Sequence, residues 1–308
     1  MIEYGKGRHW DQASSIDLGV SVSPEYRALS TPTSHVNGNN TARGTKLAWY
    51  DNGATTYDWH GFTLMFQNSW EPFFEDRKMS CDIAIGAVGS EQQILGEFCF
   101  DQPSHSRGSQ EAFIPLFIPK GTTLHVRMMM YSNTTSGAFS MRPTLFGWRQ
   151  DMCHHKVYFR SETIGISTQA SPVLGNGYGT LVQPTIVDTM TPWVQIGENT
   201  FDYHTWYLNI GQGFIGIDPR ITASAGPYNF LYEIGVGESG SQVAIIEDGY
   251  LNLQDSATGT SDWNVGTQQM QPLQHYLPAG TKIWARMQSS VISHVAAQSK
   301  DFRIVGFG

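Results

Sequence analysis

Charge is scarce in this chain of 308 residues: Asp, Glu, Lys and Arg make up 15 % of it, against about 25 % in an ordinary soluble domain. Those residue types cover the solvent faces of most helices, so their scarcity argues against a helix-rich fold and for strands and loops. Lys and Arg number 19 against 27 Asp and Glu, a net charge of −8, and the basic residues form no run. Neither nucleic acid nor an anionic membrane surface is therefore an expected partner. No stretch of about 18 apolar residues occurs, and the segment Met1 to Arg8 has no apolar core, so neither membrane insertion nor export by a cleaved signal is expected. Cysteine is nearly absent. Cys81, Cys99 and Cys153 are odd in number and widely spaced, which excludes an all-paired disulfide framework and predicts buried free thiols made in a reducing compartment.

Catalytic signatures are missing too. There is no Gly-x-Ser-x-Gly elbow, no His-Glu-x-x-His helix and no phosphate-cradling Gly-x-x-x-x-Gly-Lys loop. Carboxylates at Asp76, Glu97, Glu111, Glu233 and Glu247 show no pairing that glycoside hydrolysis would require. Gly235-x-Gly237-x-x-Gly240 has the letters of a dinucleotide fingerprint, but Val243–Ile246 after it reads as a strand and offers no helix N-terminus. A hairpin turn explains the same glycines. The expectation is a chain that is not an enzyme and carries no cofactor or metal.

What is plentiful is glycine (32) and aromatic side chains (12 %), and they repeat. Pro119-x-Gly121-Thr122 through Arg127-Met128 matches Pro278-x-Gly280-Thr281 through Arg286-Met287 at an offset of 159. Thr45, Trp49, Thr56, Asp58 and His60 match Thr189, Trp193, Thr200, Asp202 and His204 at 144. Ile83–Gly89 answers Ile234–Gly240 at 151, and Phe146-Gly147 answers Phe307-Gly308 at 161. Offsets that grow along the chain are what loop insertions in a second copy of one fold produce. The expected domains are 1–148 and 149–308.

Alternation of Leu124, Val126 and Met128 with His125 and Arg127 reads as a half-buried strand entered from a Pro-x-Gly-Thr turn, and Ile283, Ala285 and Met287 repeat the pattern. That places Arg127 and Arg286 opposite the core. Further strands read at Gly61–Gln67, Ser80–Ala87, Gln93–Phe100 and Thr144–Trp148, with counterparts in the second half. Short strands every 10–20 residues predict an all-β fold: a tandem, duplicated antiparallel β-sandwich of the jelly-roll kind. A short helical turn is expected at 69–76, and surface crossings at 22–44 and 170–190.

Asp58-x-His60 and Asp202-x-His204 set an acid and an imidazole two apart on one strand face, where a structural Asp–His hydrogen bond is expected rather than a metal site lacking further ligands. Trp49 and Trp193 read as core. Trp263, in a second-half insert, is the candidate for an exposed contact.

The segments Ile118–Arg127, Leu277–Ser290 and Asp82–Gly89 resemble structural proteins of tailed bacteriophages. The resemblance implies β-sandwiches built into a virion in many symmetric copies, as head decoration or in the tail or baseplate. Such a protein is made in the host cytoplasm, and its partners are other virion proteins and copies of itself. It carries over no catalytic residue. The alternatives are host-receptor or glycan binding, through Trp263 above all, and a carbohydrate-active enzyme on a jelly-roll scaffold.

Overall fold

A computed structural model describes residues 25–28, 34–35, 46, 48–68, 77–102, 110–130, 139–149, 156–166, 180–212, 228–253, 272–290 and 300–308. Within them lie β1 (Glu25–Ala28), β2 (Ser34–His35), β3 (Tyr50–Ala54), β4 (Trp59–Asn68), β5 (Arg77–Ile85), β6 (Gln92–Gln102), β7 (Gln110–Ile118), β8 (Thr123–Met130) and β9 (Phe139–Gly147). The second half repeats them as β10 (Ser161–Ile164), β11 (Thr180–Val182), β12 (Val194–Glu198), β13 (Thr205–Gln212), β14 (Tyr228–Val236), β15 (Val243–Leu253), β16 (Pro272–Leu273), β17 (Lys282–Ser289) and β18 (Lys300–Phe307).

The sheets run β1-β9-β4-β7 and β3-β8-β5-β6 in the first half, then β10-β18-β13-β16 and β12-β17-β14-β15 in the second, with β2 on β9 and β11 on β18. Every strand has a counterpart, in the same order. The two-sheet antiparallel order, closed by connections that cross from sheet to sheet, is a jelly roll. The chain is thus a duplicated, all-β tandem sandwich.

Local chemistry fixes each copy in the same way. Leu124 and Val126 of β8, with Ile83 of β5, face Phe62, Leu64 and Leu145 of the opposing sheet in one core cluster, and Ile283, Ala285, Met287 and Ile234 do the same in the other. Gly147 and Gly306 lie where a Cβ would come within 2.0 Å of the Trp59 ring and 2.1 Å of the Tyr203 ring, respectively. Since Trp59 and Tyr203 are related by the offset of 144, these two glycines are equivalent, at 159. The ladders agree: Gly147 pairs with Phe62, and Gly306 with Trp206. The sequence match at 161 on this strand is therefore two residues out of register, although the side chains keep their faces because the strand period is two.

Other expectations change, and one is not reached. The stretch 22–44 contains β1 and β2, and 170–190 contains β11, because both segments pair with the last strand of their copy. Strands β7 and β16 were unread because Pro115 and Pro272 interrupt a strand pattern; proline is tolerated at sheet edges, where both strands lie. The helical turn expected at 69–76 falls outside the described residues. Trp49 and Trp193 are half-buried rather than core.

Candidate functional site

The Pro-x-Gly-Thr turns are built first. Thr122 N–H donates to Pro119 O and Thr281 N–H to Pro278 O, both at 3.2 Å, and Gly121 and Gly280 supply the positive φ (82° and 79°) that the third turn position demands. A polar side chain clamps each turn from beneath. Thr55 Oγ1 donates to Pro119 O at 2.8 Å, and Asn199 Nδ2, at the equivalent position, donates to Pro278 O at 3.0 Å.

Asp58 and Asp202 complete the clamp from above. Asp58 Oδ1 accepts Lys120 N–H at 2.7 Å, and Asp202 Oδ1 accepts Ala279 N–H at 2.8 Å. The expected Asp–His bond is thus corrected: Asp58 and Asp202 lie just ahead of β4 and β13 rather than on a strand face, and each carboxylate accepts from the turn amide instead. In the second copy Asp202 Oδ2 also accepts Tyr276 OH at 2.8 Å. The turn amide, then this phenol, hold the Asp202 carboxyl below its ordinary pKa, and the carboxylate in turn pushes the Tyr276 phenol up. Both carboxylate oxygens are engaged, so Asp202 acts as a turn clamp.

The two histidines pack against rings. His60 meets Phe117 edge-on at 5.2 Å, and His204 meets Tyr276, the equivalent of Phe117, at 5.5 Å. The link between copies passes between them: Phe159 lies 5.4 Å from Phe117, and Tyr158 stacks on His204 at 6.3 Å. An aromatic band therefore crosses the junction of the two sandwiches at their short-turn end.

Arg127 and Arg286 are on the face away from the core, as read from the strand period. Each forms a cross-strand ion pair, Arg127 Nε to Asp82 Oδ2 and Arg286 Nε to Glu233 Oε2, both 2.7 Å. Each also lies over an indole, Trp49 at 4.2 Å and Trp193 at 4.4 Å from the ring centroid. Cation–π stacking explains why these tryptophans sit outside the core.

The seam between copies was not read from the sequence. Edge strands β6 and β7 of the first sandwich abut the outer face of the β10-β18-β13 sheet. Ser161 Oγ donates to Ile94 O (2.8 Å), Gly96 N–H to Thr163 Oγ1 (2.9 Å) and Tyr207 OH to Phe113 O (2.8 Å). Tyr158, Tyr207, Val305 and Phe307 join the first copy's apolar cluster. Inside this seam runs an ion network. Lys46 Nζ bridges Asp82 (3.3 Å) and Glu97 (2.9 Å), and Arg303 Nε from the second copy reaches Glu97 at 3.2 Å and, through Nη2, Asp301 at 3.4 Å. Glu97, Asp301 and Arg303 are fully buried. The one local signal is positional: Glu97 follows Ile94-Leu95-Gly96 and precedes Phe98, and Arg303 lies between Phe302 and Ile304.

Among the described residues no group of three or more His, Cys, Asp or Glu is placed to hold a metal, and no helix is long and apolar enough to cross a membrane. Cys81 is a buried free thiol whose pKa burial raises; Cys153 and Trp263 lie outside the described residues.

No family model and no curated protein matches the chain. Similar solved structures exist at low identity. A peptide-N(4)-(N-acetyl-β-D-glucosaminyl) asparagine amidase is 11 % identical, with 93 % of this chain and 96 % of that one covered, at a TM-score of 0.48. PNGase F, a glycosylasparaginase from Flavobacterium meningosepticum, is 11 % identical with the same coverage, at 0.43. Sulfolobus turreted icosahedral virus supplies a third, 9 % identical, covering 92 % and 88 %, at 0.37. The expectation that the chain is not an enzyme is corrected to this extent: the first two neighbours are enzymes by name.

Proposed function

We propose that this chain is a structural subunit of a virus particle that assembles with copies of itself and with other virion proteins, its two domains dividing at 148/149. The observation that carries the reading is the seam. Two sandwiches of identical strand order are held as one block by a shared apolar cluster and by the Arg303–Glu97 ion pair, both side chains 0 % exposed. Such a rigid block has one fixed set of edges and faces outside the seam, which suits repeated, symmetric contact. The finer assignment, to the head decoration, tail or baseplate of a tailed bacteriophage, rests on the sequence resemblance. Asp58, His60, Asp202, His204, Arg127 and Arg286 then serve the stability of the block and its short-turn end.

Immunogold electron microscopy of purified particles, with antibody raised against the recombinant chain, tests the proposal. Regular labelling of particles is the expected result; antibody found only on soluble protein in the lysate overturns it.

A further inference from the structure

The ion network at the seam holds one group of a different kind. Its guanidiniums, Arg127 and Arg303, keep their protons in any protein environment, whereas an amine can give up a proton and act as a nucleophile. Lys46 is the network's one amine among the described residues. Its Nζ lies 3.3 Å from Asp82 Oδ2 and 2.9 Å from Glu97 Oε1, and the three side chains are 6 %, 3 % and 0 % exposed. Arg127 Nε meets Asp82 at 2.7 Å and Arg303 Nε meets Glu97 at 3.2 Å, so each carboxylate keeps a guanidinium when Lys46 turns neutral. The duplication shows what the fold itself requires at this place. Asp82 corresponds to Glu233 at an offset of 151, each paired with its arginine across the ladder. Glu97 corresponds to Asp248, and both take positive φ, 43° and 53°. Lys46, however, corresponds at 144 to Met190. The second copy thus keeps the acid–arginine pair without an amine, and the first copy buries a lysine that the sandwich does not need, although burying a charge is costly.

We propose that Lys46, Asp82 and Glu97 form a self-modification site, at which Lys46 Nζ condenses with Asp82 Cγ into an intramolecular isopeptide bond. The inference is independent of the virion reading. In the reaction the Nζ–Cγ bond forms, the Cγ–Oδ2 bond breaks, and two of the three ammonium protons leave with Oδ2 as water. No oxidant, reductant or co-reactant enters. Glu97 Oε1, in contact with Nζ, takes each proton from the nitrogen and passes it to Oδ2, and ends ionised as it began. The Glu97 backbone N–H donates to Asp82 Oδ1 at 2.5 Å and stabilises the negative charge that this oxygen gains as the nitrogen attacks. Arg127 Nε, donating to Oδ2 at 2.7 Å, orients the leaving oxygen. Fixed contact between amine and carboxyl replaces a chance encounter, and burial excludes the bulk water that would hydrolyse the amide. The product is neutral, so the cost of holding two charges out of water disappears. The bond ties the segment ahead of β3 to β5, an interior strand of its sheet.

Intact-mass spectrometry of the folded, then denatured, full chain tests this, alongside Lys46→Arg and Glu97→Gln variants. The expected wild type is lighter than its sequence by the mass of one water, and both variants have their full sequence masses. Trypsin should then yield, from the wild type alone, one branched peptide that joins Lys46, uncut after it, to the segment carrying Asp82. A wild type of full sequence mass, or a water loss that maps elsewhere without a branched peptide, overturns the proposal. A Glu97→Gln variant that forms the branched peptide as completely as the wild type overturns the proton-relay role of Glu97. Should either variant fail to fold, the wild-type mass and its branched peptide decide the bond alone.

Discussion

Replacing Arg303 by Leu removes the guanidinium that the second sandwich sends to Glu97, at 3.2 Å, at a place where Glu97 and Asp301 are fully buried. Breaking a buried ion network from one side leaves buried charge under-compensated and costs about 3–5 kcal/mol; Asp301 loses its Arg303 contact at 3.4 Å, and Glu97 keeps Lys46 at 2.9 Å. With roughly 2–4 °C per kcal/mol for units of this size, the melting temperature should fall by about 6–20 °C. The second perturbation is Glu97→Gln, which removes the carboxylate charge that Arg303 and Lys46 share while keeping a side chain able to bond Lys46. In the Arg303→Leu background, Glu97→Gln should therefore cost less than it does alone, with a coupling of about 1–3 kcal/mol. Calorimetry on the wild type, both single variants and the double variant measures all the terms. Losses that simply add within about 0.5 kcal/mol, or an Arg303→Leu variant that melts with the wild type, would refute the view that this network holds the copies together.

Three further outcomes follow from the repeated geometry. Gly147→Ala and Gly306→Ala each drive a Cβ into an aromatic ring, at 2.0 Å from Trp59 and 2.1 Å from Tyr203, and each should lose about 1–3 kcal/mol in denaturant melts; a neutral Gly147→Ala would break the proposed equivalence. Gly280→Ala meets no crowding, only Glu198 Oε1 at 3.8 Å, but has φ +79°, so it should lose about 1–2 kcal/mol through backbone strain alone. Asp202 has a depressed folded pKa, so its stabilisation is present above the ordinary carboxylate pKa and disappears as pH falls through the depressed value. The melting-temperature difference between wild type and Asp202→Asn should shrink across that acidic window, and a difference independent of pH would show that the ionised clamp contributes nothing.

The duplication was legible because the clamped turn and its following strand need particular residues: Gly121 and Gly280 for positive φ, Asp58 and Asp202 for the turn amide, alternating apolar residues for the core. The all-β class and the strands β4, β5, β6 and β8 were readable for the same reason. Edge elements were not, since β7 carries Pro115 and its counterpart β16 is two residues long, too short for any period. Trp49 and Trp193 were misread because composition alone favours a buried indole, whereas a facing Arg can hold it on the outer sheet. The seam was hidden because contact between copies depends on where Glu97 and Arg303 meet in space, 206 residues apart; a charge among apolar neighbours marks each residue but does not pair them.

The virion claim is tested most directly by a cryo-electron microscopy reconstruction of particles purified from the culture that produces this chain. The account predicts paired sandwiches, joined through the β6–β18 seam, at every repeated position of one particle component. A reconstruction in which all repeated positions are filled by other folds, with this chain absent from the particle, would contradict it.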